Sequence, residues 1–501
     1  MKNTTIILGP PGTGKTTELL NLVDTYLAKN TDPRKIGFVS FTKKSVEEAR
    51  ARAAKRFNKD EKFFYYFRTI HSLAFTQLCM TRNDVMELKH YREIGNLLNI
   101  TIKGKKTTDC SVEELEKGDQ LVFVESLSRM CCEPLEDTYN KMNLDFSIEE
   151  LILFKNTLDK YKKINLLNDF TDMLEKFYVS GYKPELEVLF VDEAQDLCPL
   201  QWRIIEQLTE KSKKTYIAGD DDQAIFRWSG ADIDYFVSLP KYHETKVLDQ
   251  SYRLPKKVHS LALEVIDQVR NRNLKEYKPT TFDGKLEFIN SLDDIDLSEG
   301  EWLILVRNTF MANEIIEHLR SYGFPYESQW KSSRDIESLK AAFTWEKLRS
   351  GKEVLVEEVK EMLSYISQKK YLRTIRGRKS NELINMKVVM SACAFVDPNI
   401  KDLPWYDALD RISFEDREYF ISARKQGESL IKKPRIKVST IHGAKGGECK
   451  NVVLFLDISS RTYREMMKNF DDEVRVFYVG ITRAKENLYI VQPSTNTYFN
   501  I

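Results

Sequence analysis

Cysteine is scarce and unpatterned in this chain. Its seven cysteines, Cys79, Cys110, Cys131, Cys132, Cys198, Cys393 and Cys449, form no C-x-x-C pair and are odd in number. That argues against a zinc site or a disulfide framework, and a reducing, cytosolic setting fits best. An excess of one charge sign is missing too, with 77 Lys+Arg against 76 Asp+Glu and a net charge of +1. No global positive charge advertises nucleic acid, although a local basic groove is enough to bind one. No apolar run approaches the ~18–20 residues of a membrane span, and no signal-peptide apolar stretch precedes the first motif. A cytoplasmic protein without a membrane partner is the expectation. Low-complexity tracts and internal repeats are absent. What remains is an ordinary globular composition, 42% hydrophobic and 11% aromatic, over 501 residues. That length exceeds one ordinary core, so two to four domains are expected.

The most informative run is Val188-Leu189-Phe190-Val191-Asp192-Glu193-Ala194-Gln195-Asp196. Four apolar residues read as a buried strand, and two carboxylates stand at its end. In a nucleotide hydrolase the first carboxylate holds Mg²⁺ and the second polarises the attacking water. Alone, such a run is equally a surface turn. The N-terminus removes that alternative. There Thr5-Ile6-Ile7-Leu8 leads into Gly9-Pro10-Pro11-Gly12-Thr13-Gly14-Lys15-Thr16-Thr17, followed by an apolar-periodic helix through Leu19, Leu20 and Val23. This strand, glycine-rich loop and helix carry the G-x-x-x-x-G-K-S/T spacing of a phosphate-binding loop. Glycines let backbone N–H groups converge on a polyphosphate, and the helix N-terminus adds its positive end. Lys15 is expected to neutralise the β/γ-phosphates, and Thr16 to join Asp192 on Mg²⁺. ATP and Mg²⁺ are the expected cofactors.

Strand and helix patterns alternate through residues 36–41, 43–56 and 65–70, which predicts a parallel α/β sheet. From about residue 78 to 181 the texture turns amphipathic, with Leu151, Phe154, Leu158 and Tyr161 at helical spacing. The sheet pattern resumes at 188–192 and 215–219. A second α/β unit begins near Lys246, with strands at 302–306, 436–440, 452–456 and 488–491, interrupted by a Lys/Glu-rich helical stretch. The predicted architecture is two parallel-sheet α/β cores, the first carrying the P-loop, each with a mostly helical insertion. The expected boundaries are residues 1–79 with 182–245 for the first core and 80–181 for its insertion. The second core takes 246–330 with 435–501, and its reduced insertion 331–434.

Further motifs follow in order: residues 38–52, Thr69-Ile70-His71-Ser72, Gly219-Asp220-Asp221-Asp222-Gln223-Ala224-Ile225-Phe226-Arg227-Trp228-Ser229-Gly230, Gln250-Ser251-Tyr252-Arg253, Thr440-Ile441-His442-Gly443-Ala444-Lys445-Gly446 and Tyr478-Val479-Gly480-Ile481-Thr482-Arg483. With the P-loop and the Asp192 run, this series resembles superfamily 1A DNA helicases of the UvrD/Rep/PcrA type, in a compact form, over nearly the whole chain, which implies that the two α/β cores are RecA-like parallel-sheet P-loop cores.

The resemblance implies roles for residues that spacing alone leaves open. Glu193 matches the catalytic base, and Gln223 a residue that contacts the γ-phosphate and reports nucleotide state to the DNA site. Standing alone, Gln223 would be read as part of a polar turn. Arg253 and Arg483 match two arginines that reach the γ-phosphate from the second core. Arginine suits this task because it stays charged and can bridge two oxygens, and such a finger is worth ~10³–10⁵ in rate in other phosphoryl-transfer systems. Tyr252 matches an adenine-stacking tyrosine, and Glu448 a glutamate near the nucleotide sugar. Phe41, Thr42, His71, Phe226, Trp228, Ser439, Thr440 and His442 fall in motifs that the family uses for single-stranded DNA. Aromatics stack on any base, and short hydroxyls bond phosphates without imposing a sequence. For His71 and His442, a satisfied core histidine is an equal alternative.

Three departures stand out. No glutamine precedes Gly9, where the family reads adenine. Gly446-Gly447-Glu448-Cys449 replaces the family's Gly-Leu-Glu-Phe, and an extra glycine should loosen that loop. The second insertion is short for the family. No nuclease-like carboxylate cluster is seen near the end. The expected activity is an ATP-dependent 3′→5′ single-strand translocase and DNA helicase, acting on single-stranded and tailed duplex DNA as a monomer. The alternatives are a translocase that strips proteins from single strands with little unwinding, and an ATP-switched nucleic-acid-binding module.

Overall fold

The computed structural model describes the chain apart from residues 41–42, 106–111, 113–114, 143, 368–386 and 389–399, and the side chains at 44, 57, 387 and 388. Six strands build a first sheet: β1 (Thr4–Leu8), β2 (Ile36–Ser40), β3 (Tyr66–Thr69), β4 (Val188–Asp192), β5 (Lys214–Gly219) and β6 (Glu244–Val247). Their order is β3-β2-β4-β5-β1-β6, and every pairing is parallel. β1, β2 and β4 are buried at every residue, as near-continuous apolar runs must be when helices cover both faces of a parallel sheet. β6 is the opposite: its four residues are all exposed, and it forms an edge of the sheet. It runs two residues past the boundary expected at 245.

A second sheet follows, made of β7 (Lys285–Ile289), β8 (Trp302–Val306), β9 (Tyr326–Ser328), β12 (Ile436–Thr440), β13 (Cys449–Phe455) and β14 (Ala484–Val491). The short β10 (Val354–Leu355) and β11 (Lys387–Val388) pair antiparallel outside it. The order is β7-β14-β13-β8-β12-β9, again all parallel. Two six-stranded parallel sheets with helices on their faces are two RecA-like cores.

The two long segments outside the sheets behave differently. Residues 86–167 have an apolar core of their own, in which Ile94, Leu121, Val124, Leu151, Phe154 and Leu158 are buried together. The helix Phe170–Val179 then returns to the first sheet, with Leu174 and Phe177 packed among Leu189, Leu200 and Ile204. The second segment has no separate core among the described residues. Trp345, Met362, Tyr419 and Phe420 share one cluster with Ile304, Val438 and Leu319. It forms a layer of the second core. No helix among the described residues is long and apolar enough to cross a membrane.

Register decides where the site lies. Leu8 pairs with Gly219, Val191 with Ile217, and Ser40 with Asp192. The carboxyl ends of β1, β2, β4 and β5 are therefore level, and their loops open along one edge, where parallel α/β sheets bind ligands.

Candidate nucleotide site and nucleic-acid interface

The loop after β1 is held by its own backbone. The Gly9 N–H donates to the Gly219 carbonyl at 3.0 Å, and Thr13 Oγ1 donates to the Pro10 carbonyl at 2.7 Å. Gly12 and Gly14 lie at φ +72° and +78°, a left-handed region that glycine enters at little cost. The helix Lys15–Ala28 starts at the loop's end, so its unpaired N–H groups face the loop. Lys15 Nζ donates to the Gly9 carbonyl at 2.9 Å.

Asp192 and Glu193 leave β4 beside this loop. Thr16 Oγ1 donates to Asp192 Oδ2 at 2.8 Å. Burial, reinforced by the Glu193 charge, pushes the Asp192 carboxyl up to about 7. A half-buried hydroxyl beside a buried carboxylate, both hard oxygen donors, fits Mg²⁺. Glu193 takes the opposite course. Burial raises its carboxyl, but Lys15, Lys445, the Gln195 hydrogen bond and Arg483 together hold it below its usual range. One member of the adjacent pair is thereby kept ionised.

The second half of the chain closes over the loop. Ser251 Oγ donates to the Pro11 carbonyl at 2.8 Å, and the Tyr252 N–H donates to the Gly12 carbonyl at 2.9 Å. The Tyr252 ring beside Gly12 is 76% exposed. Arg253 Nε donates to Glu448 Oε2 at 2.7 Å, and Lys485 Nζ donates to the other Glu448 oxygen at 3.0 Å. Arg483 is buried and donates to neutral oxygens: the Val479 carbonyl at 2.9 Å, the Gly447 carbonyl at 3.1 Å and Gln223 Oε1 at 2.9 Å. Burial and the neighbouring Arg253 push its pKa down to about 9, against the pull of Glu193 and Glu448. A guanidinium keeps its proton, so this is a buried positive charge hydrogen-bonded only to neutral groups. The P-loop, Glu193, Gln223, Arg253, Glu448 and Arg483 line one cleft of about 940 Å³.

The same cleft continues to Phe226, Ser439 and His442. Phe226, Trp228 and His442 form a three-ring cluster with centroids 6.2–6.4 Å apart. Phe123, from the helix Lys117–Met130, lies nearly parallel to Trp228 at 6.3 Å and 16°. Trp228 is half-buried, and its indole N–H is buried without a hydrogen-bond partner. Lys445 Nζ stands 4.8 Å over the Phe226 ring. His442 is buried, and that burial, with Arg307 and Lys445 near, holds its pKa well below the ordinary value. Ser439 Oγ donates to the Thr440 carbonyl at 3.0 Å. The Thr440 side chain is buried, and its Oγ1 accepts the Gly443 N–H at 3.1 Å. His71 instead meets Phe170, edge-on at 5.9 Å, with burial lowering its pKa to about 4. Phe41 and Thr42 lie outside the described residues.

Comparison with known proteins places the chain in a family. Residues 1–244 match the UvrD/REP helicase N-terminal domain, and residues 409–495 match the UvrD-like helicase C-terminal domain. The chain belongs to the UvrD/REP helicase family. It is similar to a probable DNA helicase II homolog of Mycoplasma genitalium, 24% identical over 98% of this chain and 82% of the relative. It is also similar to the ATP-dependent DNA helicase PcrA of Staphylococcus epidermidis, 23% identical over 99% of this chain and 82% of that protein.

In this helicase, a hydrogen-bonded chain that the sequence did not single out joins Glu193 to Arg483. Gln195 Nε2 donates to Glu193 Oε2 at 2.6 Å, and Gln195 Oε1 accepts the Asp220 N–H at 3.0 Å. Asp220 Oδ2 accepts Gln223 Nε2 at 2.6 Å, and Gln223 Oε1 accepts Arg483 Nη2. Lys445 bonds both oxygens of Asp196, at 2.6 and 2.7 Å. Gln195, Asp196 and Lys445 were all visible as polar residues inside motifs, but nothing in the sequence paired them.

Proposed function

We propose that this helicase is an ATP- and Mg²⁺-dependent motor that moves 3′→5′ along single-stranded DNA and unwinds tailed duplexes. The observation that carries this reading is one cleft between the two cores. The P-loop, Arg253, Arg483 and Gln223 line it, and it continues to Phe226 and His442 of the aromatic cluster. The names of the two relatives support the activity, and the family resemblance supports the polarity.

Lys15 binds the β/γ-phosphates, and Tyr252 offers an exposed ring to adenine while Glu448 stands toward the sugar. Thr16 and Asp192 would hold Mg²⁺, which neutralises phosphate charge when bound. Glu193, ionised and fixed by Gln195, takes the proton of the attacking water. Arg253 and Arg483 offset charge that develops on the γ-phosphate in the transition state. Both arrive from the second core, so turnover requires the cores to close. Gln223, bonded to Arg483, passes that closure to the aromatic cluster, where Phe226 and Trp228 take bases. Phe41, Thr42, His71, Ser439, Thr440 and His442 complete the strand path in this reading. Residues 80–181 and 331–434 are the two insertions.

Single-strand-stimulated ATP hydrolysis tests the reading. The wild-type chain should be stimulated strongly, and Lys15→Ala should abolish hydrolysis while single-strand binding persists. Hydrolysis by Lys15→Ala near the wild-type rate would contradict the P-loop assignment.

A further inference from the structure

Three consecutive aspartates, Asp220, Asp221 and Asp222, are all buried at the carboxyl end of β5. Adjacent buried carboxylates repel one another and have lost their hydration, so each needs a partner. The partners come from the other core. Lys275, itself buried, places Nζ 3.3 Å from Asp220 Oδ1, 2.6 Å from Asp221 Oδ1 and 3.0 Å from Asp222 Oδ2. Arg272 holds both oxygens of Asp222 at 2.8 Å, and the Asn273 N–H donates to Asp221 Oδ2 at 2.7 Å. Arg475 Nε donates to the Asp221 carbonyl at 2.9 Å.

This cluster is wired to the proposed hydrolytic site through Asp220 alone. One of its oxygens faces Lys275, and the other accepts the Gln223 amide at 2.6 Å. Gln223 in turn accepts from Arg483. The path therefore runs from the second core to the first and back: Lys275, Asp220, Gln223, Arg483. Without the ammonium, Asp220 and Asp221 would keep no cation at ion-pair distance among the described residues, because Arg272 reaches only Asp222 of the three. Asp220 would then be protonated or displaced, and the oxygen that aims Gln223 would be lost.

We infer that Lys275 is a positioning residue for ATP hydrolysis, acting across the core–core interface through Asp220 to orient Gln223 between the γ-phosphate and Arg483. The inference rests on the ATPase reading above. Lys275 is not among the residues that line the nucleotide cleft, and its effect belongs on turnover rather than on nucleotide affinity.

The test uses the full chain with Lys275→Met, which keeps length and removes charge, beside Lys275→Arg, which restores charge. Lys275→Met should lower single-strand-stimulated kcat by about tenfold or more, with the KM for ATP and the affinity for a fluorescent ATP analogue changed less than about threefold. Lys275→Arg should recover most of the lost turnover. Wild-type kcat in Lys275→Met would overturn the inference. So would a fall no larger than the fraction of variant that fails to bind the analogue, which is the signature of a merely structural role. If Lys275→Met does not fold, Asp220→Asn carries the same expectation of lost turnover with retained analogue binding, and normal turnover there overturns it. Absence of ATP hydrolysis by the wild-type chain would remove the ATPase reading and this inference together. Normal wild-type hydrolysis with an unaffected variant removes this inference alone.

Discussion

Glu193 has a left-handed backbone, φ +53°, which glycine tolerates and glutamate does not readily adopt. Such a residue stores ~1–3 kcal/mol and persists only when its surroundings over-determine it. Here the Asp192 carboxylate accepts the Glu193 N–H at 3.0 Å, and Gln195 fixes the side chain. The strain turns the carboxylate out of the strand direction and toward the cleft. Glu193→Gln should bind ATP normally and lose ~10²–10⁴-fold in turnover, as expected when a general base is removed. Nucleotide titration beside steady-state hydrolysis checks this, and an equal loss of ATP affinity would point to a structural role. This carboxylate could be singled out in the sequence because the P-loop motif removes the alternative that an apolar strand ending in Asp192-Glu193 is a surface turn. Gln195 and Asp220 were not legible, because they meet 25 residues apart across a sheet edge. Trp228 belongs to the same scale. Its Ala variant should lose ~1–3 kcal/mol of single-strand affinity, about five- to a hundredfold, if the indole takes a base. The Phe123 contact gives the competing outcome: a lower melting temperature with unaltered DNA affinity would make Trp228 a packing residue.

Among the elements, the loop from Gly9 to Lys15 shows how one position couples two cores. A Cβ on Gly12 would stand 2.4 Å from Arg253 Cβ, and the residue's φ is already left-handed. Gly12→Ala should therefore unseat the Tyr252–Arg253 segment and depress turnover severely, by about a hundredfold or more on the scale of a lost transition-state contact. Thermal unfolding measured alongside should fall only modestly, because an alanine in this region costs ~1–2 kcal/mol. Undiminished hydrolysis would show that the second core does not dock here. The spacing announced the loop, but its backbone bond to Tyr252 lies outside any sequence pattern. Strands divide in the same way. β1, β4 and β8 are buried throughout and read plainly as apolar runs. β6, Glu-Thr-Lys-Val, and β7, which begins at an exposed Lys285, are edge strands carrying charge. Edges are kept polar to prevent pairing with other chains, so the property that protects them hides them from a hydrophobicity reading.

At the scale of the whole molecule, the two cores meet along an open cleft of about 940 Å³ on the nucleotide side and through a buried ionic contact of Asp220–Asp222 with Lys275 and Arg272. The second insertion was legible as helical, but its fusion with the face of the second sheet was not. Trp345 is fully buried there, and its indole N–H donates to the Leu403 carbonyl at 2.9 Å, a partner that no local pattern names. The described residues of that segment share a core with the second sheet, whereas residues 86–167 carry their own. Hydrolysis-driven closure should accordingly shift them and the second core as one body along a bound strand. The direct measurement is strand displacement on two duplexes of equal stability, one with a 3′ single-stranded tail and one with a 5′ tail, with ATP and Mg²⁺. The account predicts ATP-dependent unwinding of the 3′-tailed duplex and little of the 5′-tailed one. Preference for the 5′ tail, or strong single-strand-stimulated hydrolysis with neither duplex unwound, would contradict it.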